Sequence, residues 1–256
     1  MTDGKDVTSD AEMKLSVIVP VYNEAATVAE LIERVLAVDL GEFEREIIVV
    51  DDGSTDRSQD VLERFAIQRP DVVKVYHHEE NRGKGAAIRT AMEHVTGDIV
   101  ITQDADLEYD PQDYPRLLAL FEDPEVQVVY GSRNLRENPR SSWSFYWGGR
   151  LLSWFANLLY GSQLTDEATG YKLFRTELLH SLDLQSDGFE FCPEVTSKLL
   201  RHDITIHEIP ISYRPRGLEE GKKINWRDGL EAIWTLLKHR FARDVSGPAS
   251  DPSSDE

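Results

Sequence analysis

Residues 97–108 read Gly97-Asp98-Ile99-Val100-Ile101-Thr102-Gln103-Asp104-Ala105-Asp106-Leu107-Glu108. The apolar run Ile99 to Ile101, bounded by a Gly-Asp turn signal, predicts a short buried strand with Asp104 and Asp106 just beyond it. Alternate residues of an extended chain share a face. On that geometry Asp104, Asp106 and Glu108 converge on one hard divalent cation, which takes oxygen ligands. Mg2+ or Mn2+ suits such a set. An isolated Asp-x-Asp is also an ordinary solvated turn, so the rest of the chain has to decide.

The same punctuation recurs upstream. Leu15 to Val19 is an apolar run ending at Pro20, followed by Val28, Leu31, Ile32, Val35 and Leu36 at helical spacing. Ile47 to Val50 precedes Val61, Leu62 and Phe65, and Val72 to Tyr76 precedes Ala87, Ile88, Ala91, Met92 and Val95. Strands alternating with amphipathic helices predict an α/β fold with a mostly parallel sheet and helices on both faces. Ligands of such sheets sit beyond the C-terminal strand ends. Those ends carry polar clusters: Pro20-Val21-Tyr22-Asn23-Glu24, then Asp51-Asp52-Gly53-Ser54-Thr55-Asp56, then the Asp-x-Asp. Asn81-Arg82-Gly83-Lys84-Gly85 precedes the third helix, where Lys84 and free backbone amides suit an anion. Each cluster alone is a serviceable turn or cap; together, at equivalent strand ends, they mark one site.

These ordered motifs, over about residues 14 to 225, resemble the inverting family-2 glycosyltransferases of GT-A (Rossmann-like) fold, and among them the dolichyl-phosphate mannose synthase-like branch. The resemblance implies a nucleotide-sugar donor. It implies that Pro20, Tyr22 and Glu24 hold the nucleoside, that Asp52 reads base or ribose, and that Asp104, Ala105 and Asp106 meet the sugar diphosphate through the metal. Glu108 stands where the family often has Gln. Asp106 and Glu194 are the candidate catalytic carboxylates. Glu194 matches a carboxylate the family keeps, whereas Glu190 reads as a first-turn acid favoured by the helix dipole. Asp166 to Phe174 resembles the family's Asp-x-x-Ser/Thr-Gly-Phe/Tyr stretch beside the active site, leading into a strand.

Past the expected strand Val126 to Tyr130, three of the five tryptophans crowd between Trp143 and Tyr160. The segment is shorter than the roughly 20 apolar residues that span a bilayer, yet it suits a helix at a lipid interface. A buried helix or a homodimer face is the other use of such aromatics. Arg133 and Arg150 beside it suit a lipid phosphate and match the family's lipid-phosphate arginines. Ile204 to Tyr213 alternates like a last strand and delivers a basic, Gly-bearing loop whose Arg216 and Lys222 match the family's mobile loop over the donor phosphates. The final helix, Trp226 to Phe241, reads as core cover or membrane contact.

A formal charge of −19 excludes a broad phosphate-neutralising surface and with it a nucleic-acid partner. The single cysteine, Cys192, excludes an intrachain disulfide and fits a reducing cytosol. Residues 1–13 and 244–256 read as disordered acidic tails flanking one glycosyltransferase domain at 14–243. The opening carries no apolar segment, so neither a signal peptide nor an anchor is expected. The expected setting is cytoplasmic, peripheral on the cytoplasmic membrane face. The expected activity is inverting transfer of a hexose from a UDP- or GDP-sugar to a polyprenyl phosphate. Two rivals are a family-2 transferase with a sugar-hydroxyl acceptor and a non-enzymatic nucleotide-sugar binding protein.

Overall fold

The structure is a computed structural model that describes residues 13–139, 143–216 and 226–242, apart from the side chains at 144 and 145. The acidic tails expected at either end lie almost wholly outside the described residues, as does Lys222. Among the described residues seven strands form one sheet: β1 (Lys14–Val21), β2 (Glu44–Asp51), β3 (Val73–His77), β4 (Ile99–Thr102), β5 (Val128–Ser132), β6 (Lys172–Arg175) and β7 (His207–Pro210). Their spatial order is β3-β2-β1-β4-β6-β5-β7. Only β6 runs against its neighbours in this sheet.

The helices are α1 (Val28–Ala37), α2 (Ser58–Gln68), α3 (Lys84–Met92), α4 (Tyr114–Leu118), α5 (Trp143–Tyr160), α6 (Thr176–Ser181), α7 (Phe191–Arg201) and α8 (Trp226–Phe241). They cover both faces of the sheet, as the strand composition demands. On β1, Leu15, Val17, Val19 and Val21 pack with α1 residues Val28, Leu31, Ile32 and Val35. Ile18 points the other way, into a second core with Ala87, Ile88 and Ala91 of α3 and Val195 and Leu199 of α7. Strand residues alternate faces, so a strand buried on both sides reads as a continuous apolar run. The mostly parallel sheet with helices on both faces is therefore borne out.

Two expectations change. The last strand, read as Ile204 to Tyr213, is only the four residues of β7. Its final residue is Pro210, which has no N–H to extend the ladder, and the chain then crosses toward the site through an isolated bridge between Tyr213 and Tyr109. The reversal of β6 has a larger consequence. Because Ile101 pairs with Leu173 in antiparallel sense, residues leading into β6 lie beside the C-terminal end of β4. Residues 166–170 are thereby brought to Asp104.

Both α5 and α8 are displaced from the main cores. They pack on each other through the Tyr160 hydroxyl donating to the Leu236 carbonyl at 2.7 Å and Arg240 Nε donating to the Leu159 carbonyl at 2.8 Å. Trp143, Trp147, Leu151, Trp154 and Leu158 remain exposed on α5, which removes the buried-helix reading of that segment. On α8 the packed face is Ala232, Thr235 and Leu236, while Trp226, Leu230 and Trp234 face outward. All five tryptophans of the chain are thus exposed on this helix pair.

Candidate active site

The polar clusters meet in one cleft of about 1330 Å³ at the C-terminal edge of the sheet. The first two are stitched together by residues that sequence reasoning passed over. Asn23, in the left-handed backbone region at φ 51°, accepts from Thr55 N at 2.8 Å, while its own amide donates to Ser54 Oγ at 2.9 Å. Pro20, Tyr22 and Glu24 are thereby presented on the cleft wall.

Asp52 also lies on that wall, but its carboxylate is already engaged. It accepts from Arg82 N at 2.9 Å and Gly83 N at 2.8 Å, and pairs with His78 Nδ1 at 2.7 Å. The visible task of Asp52 is holding the glycine turn that opens α3. Gly83 sits at φ 100°, and a side chain there would run into the Asp187 carbonyl. This turn aims Lys84 at Asp104, with which it forms an ion pair. Burial disfavours the Lys84 ammonium, but the Asp104 charge more than reverses that and raises its pKa.

Asp104, Ala105 and Asp106 line the cleft together. Their neighbour Gly170 has no room for a side chain, since a Cβ there would come within 2.6 Å of Asp104 Oδ2. Burial, then the charges of Asp104 and Glu108, push the Asp106 carboxyl up to about 6 against the opposing pull of Arg216. The three-carboxylate set predicted from alternation does not form. β4 ends at Thr102, the chain turns, and Leu107 adopts φ 60°, so the extended geometry behind that prediction is absent. Glu108 is turned toward the 213–216 segment, accepting from the Tyr213 hydroxyl at 2.6 Å and Arg216 N at 2.8 Å. Among the described residues no three His, Cys, Asp or Glu side chains stand in metal-ligating geometry. Two crowded carboxylates facing a cleft still fit a hard divalent cation whose remaining ligands are oxygens of a bound substrate, and a cation there would relieve the repulsion that raises Asp106.

Arg216 stands over this pair. Its guanidinium reaches both Glu24 oxygens at 3.1 Å and Asp106 Oδ2 at 3.1 Å, while its buried Nε has no hydrogen-bond partner.

At the other end of the cleft, Arg133 is clamped by Asp166 through two parallel bonds of 2.7 Å. Burial works against its charge, but Asp166 outweighs this and raises its pKa. Arg150 is exposed on α5 and lines the cleft, its Cζ 5.8 Å from the Tyr146 ring centroid.

Glu194 is the second correction. It is absent from the cleft wall and 1 % exposed, accepting from Gln185 N and Ser186 N and pairing with Lys198 at 2.7 Å. Burial raises the pKa of such a carboxyl, yet Lys198 and Ser186 together lower it. A carboxylate so enclosed braces the chain leading into α7 and does not meet substrate. Residues missed from sequence include Tyr109, whose hydroxyl accepts from Gly170 N at 2.8 Å, and Tyr213. Their partners lie far away along the chain, so no local spacing announces them.

The family model for "Glycosyl transferase family 2" matches residues 16–183, spanning the first six strands and both carboxylate clusters. The chain belongs to glycosyl transferase family 2. The family resemblance read from the motifs is borne out. Among relatives, undecaprenyl-phosphate 4-deoxy-4-formamido-L-arabinose transferase of Edwardsiella ictaluri is 33 % identical over 211 residues, covering 81 % of this chain and 62 % of that protein. The low-salt glycan biosynthesis hexosyltransferase Agl6 of Haloferax volcanii is 31 % identical over 235 residues, covering 90 % and 54 %. The chain thus spans less than two thirds of the length of these family members. Glucosyl-3-phosphoglycerate synthase from Mycobacterium tuberculosis, solved with Mg2+ and UDP, superimposes with a TM-score of 0.67 at 25 % identity, covering 91 % of this chain and 82 % of that one. A further structure of the same synthase, with Mn2+, UDP and glucosyl-3-phosphoglycerate, gives 0.68 at 23 %. The GT-A fold is common to this chain and those synthase structures.

Proposed function

We propose that this chain transfers a hexose, with inversion, from a UDP- or GDP-sugar to a polyprenyl phosphate at a membrane surface, using Mg2+ or Mn2+. The observation that carries the reading is the continuity of one cleft. It runs from the carboxylates of Asp104 and Asp106 to Arg133 and Arg150 and onto the exposed tryptophan helices. Its volume of about 1330 Å³ exceeds the roughly 300–1,000 Å³ of a pocket for one small ligand, as expected where two substrates meet.

In this reading Asp104 and Asp106 hold the cation, which when bound stabilises charge on the departing diphosphate as a Lewis acid. Pro20, Tyr22 and Glu24 flank the nucleoside. Lys84 and Arg216 supply fixed positive charge beside the diphosphate; Lys222, expected to join them, lies outside the described residues. Arg150 and Arg133 face the acceptor phosphate, Arg133 with its orientation set by Asp166.

The hydroxyl-acceptor alternative needs a positioned base. Asp166 is committed to Arg133, and Glu194, in the first turn of α7, is committed to Gln185, Ser186 and Lys198, so neither carboxylate expected to serve as that base is placed to do so. A membrane setting is supported by the five exposed tryptophans and by α5, which carries Arg150 and no acidic residue. Tryptophan is enriched at the lipid–water boundary. Among the described residues no helix is long and apolar enough to cross a membrane. The relatives' names support this reading, one naming undecaprenyl phosphate, which bears on the acceptor, and another a hexosyltransferase, which bears on the sugar.

The deciding experiment offers radiolabelled UDP- and GDP-sugars with polyprenyl phosphate, free sugars or glycans, with and without liposomes and divalent metal. Label should enter an organic-extractable, mild-acid-labile product. Label found only on a water-soluble glycan would instead establish the hydroxyl-acceptor reaction, and binding without any transfer the non-enzymatic alternative.

A further inference from the structure

Glu167 has no part in the chemistry described above, yet it lies on the cleft wall. It is 0 % exposed, and both of its carboxylate oxygens are buried without a hydrogen-bond partner. A buried carboxylate left this way costs far more than one that accepts hydrogen bonds, so the arrangement calls for a donor from elsewhere.

The neighbouring donors form no hydrogen bond with it. Lys172, itself fully buried, donates from Nζ to the Glu167 backbone carbonyl at 2.6 Å and lies 3.6 Å from the Tyr130 ring centroid. It offers compensating charge without bonding the carboxylate. On α7 the Thr196 hydroxyl is paired with the Tyr130 hydroxyl at 3.0 Å; it favours the charged Glu167 carboxyl by its nearness but forms no hydrogen bond with it. Ser153 Oγ accepts from the Glu167 amide at 2.9 Å and donates to Gly149 O at 3.1 Å. The backbone around Glu167 is thus pinned from two sides, which makes a collapse of the side chain toward a new partner costly.

Position along the loop identifies the donor. Asp166, one residue before, grips Arg133 at the acceptor end of the cleft, and Gly170, three residues after, packs against Asp104 at the diphosphate end. A sugar in transit between the two phosphates has to pass between those anchor points, and its hydroxyls are hydrogen-bond donors.

We propose that Glu167 accepts a hydrogen bond from one hydroxyl of the transferred sugar and so determines which hexose the cleft takes. The inference deepens the transferase reading and rests on it. A site built to bond a substrate hydroxyl rejects the analogue lacking it by large factors, because its own buried polar group is then left unpaired. Glu167 has no hydrogen-bond partner within the chain, and the matching sugar hydroxyl supplies one.

The test uses the full chain with Mn2+ in two measurements. Calorimetry measures binding of UDP, GDP, UDP-glucose, UDP-galactose and GDP-mannose. Transfer assays then use the best donor and its 2-, 3-, 4- and 6-deoxy analogues, with wild type, Glu167→Gln and Glu167→Ala. In wild type, removal of one particular hydroxyl should lower kcat/KM roughly 10²-fold, with the other positions much less sensitive. Both variants should lose a comparable factor on the intact sugar, lose nothing further on that one deoxy analogue, and bind the bare nucleoside diphosphate within about twofold of wild type. A flat deoxy profile in wild type overturns the proposal even if neither variant folds. Equal losses across the whole series, or a parallel loss of nucleoside diphosphate affinity, also overturn it. Failure of wild type to bind any of the nucleotides removes the transferase reading itself and this inference with it.

Discussion

Arg216 and Asp106, 110 positions apart in the chain, meet at 3.1 Å over the mouth of the cleft, with the same guanidinium spanning Glu24. The arginine therefore already engages one Asp106 oxygen, and its charge partly offsets the crowding of Asp104, Asp106 and Glu108. A cation held by Asp106 would compete with Arg216 for that oxygen.

Asp106→Asn should lower transfer by about 10²-fold or more, since it removes charge from the cation pair. Its folding stability should stay at or slightly above wild type, because the lost charge is repelled by its neighbours. Radiolabel transfer and thermal unfolding of the purified variant check both halves. Full turnover by this variant, or by wild type in EDTA, would exclude the metal assignment.

Cation binding should depend on pH with a defined sign. Asp106 holds its proton up to about 6, above the ordinary carboxylate range, so between about pH 4 and 6 the folded chain binds more protons here than the unfolded one. At this site stability falls as pH rises through that window, and a divalent cation restores it by taking the proton's place. The rise in Tm on adding Mn2+ should accordingly be larger at pH 7.5 than at pH 5.5, as read by thermal shift in matched ionic strength.

The two arginines should behave differently on substitution. Arg133→Ala leaves Asp166, which is 0 % exposed, without its partner, and breaking such a buried pair costs about 3–5 kcal/mol. Pairing it with Asp166→Asn should recover much of the stability. Arg150→Ala, on an exposed position, should leave Tm unchanged and raise KM for polyprenyl phosphate about tenfold, with little effect on KM for the nucleotide-sugar. Chemical denaturation and steady-state kinetics separate the two cases; equal KM effects on both substrates would move Arg150 out of the acceptor site.

Trp147→Ser combined with Trp154→Ser removes two exposed indoles from α5, which are 59 % and 58 % exposed. Folding should be unaffected, while liposome co-sedimentation and the lipid-linked product fall together. Unchanged sedimentation would detach α5 from the membrane reading.

Acid sensitivity should trace largely to Glu46, near the start of β2 and away from the cleft. Burial works to raise its carboxyl, but bonds from Ser16, Thr96 and Lys14 hold it down to about 2. The folded chain thus binds fewer protons here than the unfolded chain, so the contribution is fully present above about pH 4.5 and is lost as pH falls toward 2. Glu46→Gln should destabilise by about 1–3 kcal/mol at pH 7 and flatten the decline of stability below pH 4.5, as measured by urea unfolding across pH.

Much of the architecture was legible because it is encoded in short windows. Ile99 to Ile101, Leu15 to Val19 and Ile47 to Val50 are apolar runs that become β4, β1 and β2 with residues buried on both faces. The turn residues after them fall at the strand ends by backbone chemistry alone, and that is enough to gather Glu24, Asp52, Asp104 and Asp106 at one edge. Glu108 was misplaced because period-2 alternation holds only while the chain is extended, and Leu107 at φ 60° ends that. Glu194 was misplaced because a motif match fixes a position along α7 but not whether that side of the helix meets solvent or the preceding loop.

The sequence by itself thus determined the strand–helix alternation, the family and the polar strand ends, since each depends on residues within a few positions of one another. Tertiary structure alone decided which carboxylates remain available. Arg216 on Glu24, Tyr213 on Glu108 and Asp166 on Arg133 join residues 192, 105 and 33 positions apart, and such pairings follow from where the reversed β6 and the crossing after β7 carry the chain. It also decided that α5 and α8 pack on each other and leave every tryptophan facing outward. A helix bearing aromatics around its circumference has no single apolar face to specify its orientation, so the space left beside the sheet sets it.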